Sequence, residues 1–278
     1  MKVGLRAGGG KRILAVQDIR RGQERSAARP GWPRAAEGRG VEQVGGWLDL
    51  VFPRDCAVAG TPMEADAPGH LSEAGARRLL RIADPRCARC GHPFHGMVLP
   101  GRTCPHCAAL GEGFGRAVCA FRAREEARLL IHRAKYREEP QLLEDLARVA
   151  LEDVLLRRHL AGAWLVPVPL HARRQAERGY NQALRVAKAL AAGVAGARVG
   201  DWLERTRDTG SQVGRGREER LEGMDDAFRV RRGVSLPSPA RFVVVDDVLT
   251  TGATLAACAR ALRVAGATLV DAAALAHG

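Results

Sequence analysis

The sequence predicts an α/β protein built on a parallel sheet, with a small cysteine-rich module ahead of it. Three observations carry this. From residue 118 onward, short apolar runs alternate with segments of helical apolar spacing, the pattern of strands joined by crossover helices. Residues 54–115 are instead rich in Gly, Pro, Cys and His and show few long apolar periods. Finally, 278 residues that are 46% apolar are enough for one large or two small domains with a full core.

The elements follow in order. Val41–Phe52 reads as a short amphipathic helix ending at Pro53. Ala117–Phe121 reads as a strand and Glu125–Tyr136 as a helix. Leu142, Leu143, Leu146, Val149, Ala150 and Leu155 recur at helical spacing. Ala163–Val168 is a short apolar strand interrupted by Pro167, with Pro169 just beyond. Asn181–Ala192 is helical, with Leu184, Ala187, Leu190 and Ala191 assigned to one face. Residues 204–223 are polar and Gly-rich and read as a long loop. Phe242–Val245 is a strand of the buried type, Ala253–Val264 a helix and Ala267–Ala274 a final strand. No internal repeat is evident.

Composition narrows the class. With 27% charged residues the chain is ordinary for a soluble globular protein. No apolar run approaches ~18 residues and no apolar h-region opens the chain, so neither a membrane span nor a secretory signal is expected, and the expected location is cytoplasmic. The net charge of +13 is unevenly placed. Residues 1–40 hold ten Lys/Arg against three acids, and the rest hold 34 against 28. That Gly/Arg-rich head has few large apolar residues, so it is expected to be a disordered basic tail or sequence upstream of the mature protein. A basic arm of this kind holds phosphates without sequence preference. Aromatics at 4% argue against a base-stacking platform.

Four of seven cysteines fall as Cys87-x-x-Cys90 and Cys104-x-x-Cys107. A two-residue spacer lets both sulfurs of a pair face one ion, and two such pairs match a tetrahedral zinc site. Four protein ligands leave no position for water, so the role is structural. His92, His95 and His106 lie nearby as substitutes or supporting groups. Disulfides or redox thiols are the competing reading. Cys56 lacks a mate three residues on, where Ala59 stands, and Cys119 and Cys258 read as small buried thiols.

The most informative stretch runs from Phe242 to Thr254, FVVVDDVLTTGAT. An apolar strand leads to two acids, Asp246 and Asp247, and then to a bend, Thr250-Thr251-Gly252-Ala253-Thr254, that opens a helix. The carboxyl end of a parallel strand is where open α/β sheets bind ligands. The helix start offers N–H groups and a positive dipole end to a phosphate, the threonines add hydroxyls, and Gly252 permits close approach. Adjacent carboxylates can accept hydrogen bonds from a vicinal diol such as the ribose hydroxyls, or sit near magnesium. The plain alternative is a strand–turn–helix whose threonines only cap the helix. No GxxxxGK[ST] loop occurs.

The whole motif resembles the thirteen-residue signature of 5-phosphoribosyl-1-pyrophosphate (PRPP) binding in type I phosphoribosyltransferases. Upstream, PVPLH (Pro167–His171) leads into Arg173, Arg174, Arg178, Gly179, Tyr180, Asn181 and Gln182, a set of cations suited to pyrophosphate. Taken in order, PVPLH, RRQAERGYNQ, RTRDTGSQVGRGREER, AFRV and VVVDDVLTTGATL, together with LIHRAKY (Leu130–Tyr136) and the cysteine pairs, resemble the ComF family, which includes ComFC- and GntX-type proteins. The resemblance covers roughly residues 47–276. It implies a type I phosphoribosyltransferase-like parallel sheet with helices on both faces, preceded by a four-cysteine zinc-finger module. The domains implied are a tail at 1–40, a zinc-binding module at 41–115 and a phosphoribosyltransferase domain at 116–278.

It also implies a cytoplasmic protein of DNA uptake in natural competence. Its implied partners are PRPP, single-stranded DNA and competence DNA-processing proteins, with magnesium accompanying PRPP. Carried over by position, Asp246 and Asp247 meet the ribose and Thr250, Thr251, Gly252, Ala253 and Thr254 hold the 5-phosphate. Arg174, Arg178, Asn181 and Gln182 match the RxxxRGxNQ motif, and Gln212 and Arg220 match a loop that closes over PRPP. Two positions depart from the family: Gly223 stands where an Asn is frequent, and Ala59 where some relatives carry a cysteine.

Two classes of function follow. In the first, the chain is a phosphoribosyltransferase in which Asp246, Asp247, Arg174 and Arg178 carry catalysis by positioning and electrostatics, since no general base is obvious. In the second, it is a non-catalytic PRPP- or nucleic-acid-binding protein acting as a competence partner or sensor.

Overall fold

A computed structural model describes residues 54–64, 67–94, 104–108, 113–207 and 227–278. The expected tail at 1–40 and helix at Val41–Phe52 lie outside the described residues, as do His95, Gln212, Arg220 and Gly223.

Two short helices, α1 (Glu73–Arg77) and α2 (Pro105–Ala108), belong to the cysteine-rich part. The α/β part runs β1 (Ala117–Arg122), α3 (Glu125–Tyr136), α4 (Gln141–Ala150), α5 (Val154–Leu160), β2 (Trp164–Pro167), α6 (Ala172–Arg178), α7 (Gln182–Ala192) and β3 (Arg198–Val199). It continues with β4 (Leu203–Arg205), β5 (Phe228–Val230), β6 (Arg241–Leu249), α8 (Ala253–Val264) and β7 (Leu269–His277). Five strands form one parallel sheet in the order β1-β7-β6-β2-β3, and β4 and β5 form a separate antiparallel pair.

Alternation along the central strands decides which helix lies on which face. Val243 and Val245 of β6 and Ala273 and Leu275 of β7 pack with Leu130 and Ile131 of α3, Leu142, Leu143 and Leu146 of α4 and Val186 and Leu190 of α7. Phe242, Val244, Ala272 and Ala274 pack with Leu255, Cys258 and Leu262 of α8. The sheet is therefore covered on both faces, which is why β6 reads as a continuous apolar run. The alanines of β7 leave room for helices to approach closely.

The structure revises several boundaries. β6 does not stop at Val245 but continues through both acids to Leu249, because Asp246, Val248 and Leu249 keep pairing with Ala274, Ala276 and His277. β7 begins at Leu269 and continues past Ala274 to His277, for the same reason. Residues 204 and 205, expected in a loop, belong to β4, since Leu203–Arg205 pairs with Phe228–Val230. Three residues on each side are too few to show a period.

The cysteine-rich part contains the repeat that the sequence reading missed. Asp55 bridges Pro62 as Arg86 bridges Pro93, an offset of 31 residues. Gly60 N donates to Cys56 O as Gly91 N does to Cys87 O, and Cys56 N donates to Thr61 O as Cys87 N does to His92 O. The first turn joins the α3/α4 side of the core through Cys56, Met63, Leu71 and Leu79, and the second joins the α8 side through Cys90 and Cys104. Between them, Arg81 bridges Phe121, Ile82 N donates to Ala120 O and Arg122 N to Leu80 O. The segment between the two turns thus covers the open edge of β1.

Candidate functional site

The site is built from the carboxyl edge of the sheet. Asp246 and Asp247 lie in the last turns of pairing on β6, with Asp247 buried and Asp246 half-buried. The alternation that sends Val245 toward α3 and Val244 toward α8 places Asp247 on the α3 side and Asp246 on the α8 side. The acids therefore flank the strand end rather than stand side by side. Asp247 N donates to Asp246 Oδ1 at 2.9 Å. On the α3 side Lys135 Nζ pairs with Asp247 Oδ2 at 2.6 Å, with both side chains largely buried. Burial opposes the charge on Lys135, yet Asp247 and then Asp246 hold its ammonium above the ordinary lysine range. Burial, and next the charge of Asp247, push Asp246 up to about 7. A half-buried carboxyl that titrates near neutrality is thus set at the strand end.

Lys135 was not assigned a role from the sequence. It lies in the quoted LIHRAKY segment, but only the packing of α3 against β6 brings its ammonium to Asp247.

Beyond Leu249 the chain bends through Thr250–Gly252 into α8. Gly252 is left-handed at φ 77°, a conformation that favours glycine, and offers no side-chain acceptor to the helix start. Asp153 and Asn181 do cap their own helices with side-chain oxygens. The first-turn N–H groups of α8 lack intrahelical partners by helix geometry, and Ala253 N donates to Thr251 Oγ1 at 3.4 Å. Thr250 is exposed, and Thr251 and Thr254 are half-buried. The result is a helix start with hydroxyls around it and a carboxyl two strand positions from its bend.

Arg174 and Arg178 stand one turn apart on α6, both half-buried. The Arg178 guanidinium lies over the Tyr136 ring at 5.7 Å, next to Lys135 at the end of α3. The Tyr180 hydroxyl donates to Ala134 O, which ties the turn after α6 to α3. Asn181, expected to touch ligand, is committed locally. Its Oδ1 accepts from Ala183 N at 2.9 Å and Leu184 N at 3.3 Å, and its Nδ2 donates to Val168 O at 3.0 Å. Gln182 is buried, with its Oε1 lacking a hydrogen-bond partner. The structure brings Arg178 to the Lys135 end of α3, beside the acids, while Gln212 and Arg220 lie outside the described residues.

The second candidate centre is the four-cysteine cluster. Cys87, Cys90, Cys104 and Cys107 place their sulfurs within 4.8 Å of one another. Cys87 Sγ and Cys107 Sγ are 3.4 Å apart, and Cys90 Sγ and Cys104 Sγ 3.7 Å. Those separations are far beyond a disulfide bond and close to the ~3.8 Å expected between two sulfurs each about 2.3 Å from a tetrahedral zinc. Burial and the neighbouring Cys87 push Cys107 up to about 11, so four thiolates here call for a cation. The residues present fit structural zinc.

The repeat of this turn around Cys56 has no such set. Ala59 occupies the second position, and Cys56 Sγ instead accepts from Ala59 N at 3.4 Å and Ser72 N at 3.3 Å. A Cβ on Gly75 would come within 2.5 Å of that sulfur, so the space opposite Cys56 is already filled. Cys119 and Cys258 are buried, as expected, and burial pushes Cys119 up to about 12.

Comparison with known proteins agrees with this anatomy. Residues 47–108 match the family model for a double zinc ribbon domain. DNA utilization protein YhgH of Salmonella typhimurium is 32% identical over 226 residues, which cover 80% of this chain and 96% of that protein. The chain belongs to the YhgH family of DNA utilization proteins. Two proteins with competence names are also similar to this chain. Competence protein F of Haemophilus influenzae is 28% identical over 64% of this chain and 79% of its own length. Competence protein ComFC of Streptococcus pneumoniae is 26% identical over 65% and 82%. In this YhgH-family chain the second ribbon keeps four thiols and the first keeps one. Among the described residues no helix is long and apolar enough to cross a membrane.

Proposed function

We propose that the carboxyl edge of the sheet binds PRPP with magnesium, and that the chain is a phosphoribosyltransferase-type protein serving DNA utilization in the cytoplasm. One observation carries the reading: a left-handed glycine opens α8 without a side-chain cap, directly after a strand that ends in a paired and a half-buried acid. A helix start whose N-cap residue offers no side-chain acceptor, and whose first-turn N–H of Ala253 reaches only Thr251 Oγ1 at 3.4 Å, suits a 5-phosphate. Asp246, the more open acid, accepts from a ribose hydroxyl. Asp247, neutralised by Lys135, keeps that edge from repelling an anion. Arg174 and Arg178 face the pyrophosphate.

Asp246 and Asp247 are the residues that would hold magnesium, which would supply positive charge against the pyrophosphate. The bond from C1 to the pyrophosphate oxygen breaks as the acceptor's bond to C1 forms, and the protein's part is to position the sugar and stabilise charge. Asn181 acts by fixing the start of α7. The names of the relatives, DNA utilization and competence, support placing the activity in the handling of DNA.

Isothermal titration of PRPP with magnesium tests this. Binding in the micromolar range is expected, weakened about 10- to 100-fold in Asp246→Ala and abolished in the Asp246→Ala/Asp247→Ala double variant. Equal binding by wild type and double variant overturns the assignment. Pyrophosphate release with candidate acceptors then separates an enzyme from a PRPP sensor.

A further inference from the structure

Beside the four-cysteine cluster lies a group of side chains that neither the zinc ribbon nor the PRPP reading uses. His92 follows Cys90 by two residues, His106 sits between Cys104 and Cys107, and His277 ends β7. One ring nitrogen from each lies within 4.8 Å of the other two. The rings of His92 and His106 stack with centroids 3.9 Å apart, and His277 stands 5.2 Å from the first and 5.4 Å from the second, steeply inclined to both.

His277 gives the group its direction. It is 4% exposed. Its Nδ1 lies 2.8 Å from Gly278 O, and because a carbonyl-type oxygen only accepts, Nδ1 carries the hydrogen. That fixes the lone pair on Nε2, which is buried without a hydrogen-bond partner. A ring nitrogen whose opposite N–H is held by an oxygen is the usual arrangement of a metal-ligating histidine. A buried acceptor left unmatched is otherwise destabilising.

We propose that His92, His106 and His277 form a second transition-metal site, separate from the four-cysteine site, that joins the second ribbon to the carboxyl edge of the sheet. Three imidazoles suit zinc, copper, nickel or cobalt. Nitrogens about 2.0–2.1 Å from a tetrahedral ion are about 3.4 Å apart, so side-chain rotation closes the observed spacing. Three protein ligands leave a fourth position for water or an anion. The residue after His277 runs beside the proposed phosphate bend: Gly278 N donates to Leu249 O at 2.8 Å, and a Cβ on Gly278 would stand 3.3 Å from Thr250 Cγ2. The metal therefore links the second ribbon to the end of β7, whose next residue borders the bend. The inference rests on the histidine geometry and is independent of whether PRPP binds.

The test uses the full chain without a polyhistidine tag, stripped of metal and titrated with Co²⁺ and, separately, Zn²⁺. Two equivalents are expected. One gives sulfur-to-cobalt charge-transfer absorption from the cysteine cluster, and the other gives ligand-field bands without it. His106→Gln and His277→Gln should each lose the second equivalent, or weaken it at least about 100-fold, while the sulfur band persists. His106 is half-exposed, so that variant keeps the test valid should His277→Gln fail to fold. One equivalent in the wild type overturns the proposal. So does a second equivalent that all histidine variants retain, or one that disappears only in Cys56→Ser, which would place it in the first ribbon.

Discussion

At the scale of single residues, the carboxyl edge is governed by how charge is shared among Asp246, Asp247 and Lys135. Lys135 and Asp247 pair at 2.6 Å, and Asp246 is left to be pushed up to about 7 by burial and by its neighbour's charge. An acid whose folded value lies above its unfolded value of 3.8 holds its proton more tightly in the folded chain. Stability is therefore fully retained below about pH 4 and declines as pH rises toward 7, where the folded carboxyl ionises. Asp246→Asn removes this dependence. In thermal unfolding without ligand, the variant should match wild type near pH 4 and exceed it at pH 8. One pH unit corresponds to about 1.4 kcal/mol, and screening at a half-buried group reduces the gain to on the order of 1 kcal/mol. A variant less stable than wild type at pH 8 would mean that the ionised carboxylate is held by favourable contacts instead. Asn181 shows a local role at this scale: its Oδ1 caps α7 and its Nδ2 donates to Val168 O.

At the scale of elements, α3 and β6 are joined across the sheet face by apolar packing and by one buried ion pair. Removing one partner of such a pair leaves the other charge without compensation, which typically costs 3–5 kcal/mol. Lys135→Met should therefore destabilise the chain by about 3 kcal/mol in urea unfolding. Adding Asp247→Asn should recover most of that loss, because the stranded charge goes with it. Additive losses in the double variant would show that the pair is not coupled. The two ribbons make a parallel case. Their backbone turns repeat the same hydrogen bonds 31 residues apart, yet one carries four thiols and the other Cys56 alone. Where the ligands are gone, Ala59, Ser72 and Gly75 surround the sulfur, and apolar contacts from Met63, Leu71 and Leu79 hold the first turn to the sheet.

At the scale of the whole molecule, the excess charge divides the chain. Residues 1–40 hold ten Lys/Arg against three acids, more than half of the net +13. Each phosphate contact contributes about 0.7–0.9 to the slope of log affinity on log salt. Binding to single-stranded DNA by the full chain should therefore show a steeper salt dependence than binding by a chain lacking residues 1–40. An unchanged slope would assign DNA binding to the body of the protein. The β1 edge of the sheet is covered by backbone pairing with the segment between the ribbons.

Much of this protein was legible in the linear chain because it is written in local patterns. The valine run of β6, the spacing Cys87-x-x-Cys90 with Cys104-x-x-Cys107, the helices at Glu125–Tyr136 and Ala253–Val264 and the glycine of the bend each depend on neighbours a few residues away. The repeat was present too, as Cys-Ala-x-x-Gly-x-Pro at Cys56–Pro62 and Cys87–Pro93, but the loss of a cysteine at Ala59 hid it from a search for ligand pairs. Only the tertiary structure could decide what is joined across distance. Sheet pairing extends β6 past its acids, α3 delivers Lys135 to Asp247, and the end of β7 carries His277 to two histidines of the ribbon. Local pattern is set by backbone period and side-chain type, whereas partnership between charges or ligands far apart in sequence is set by how the layers pack.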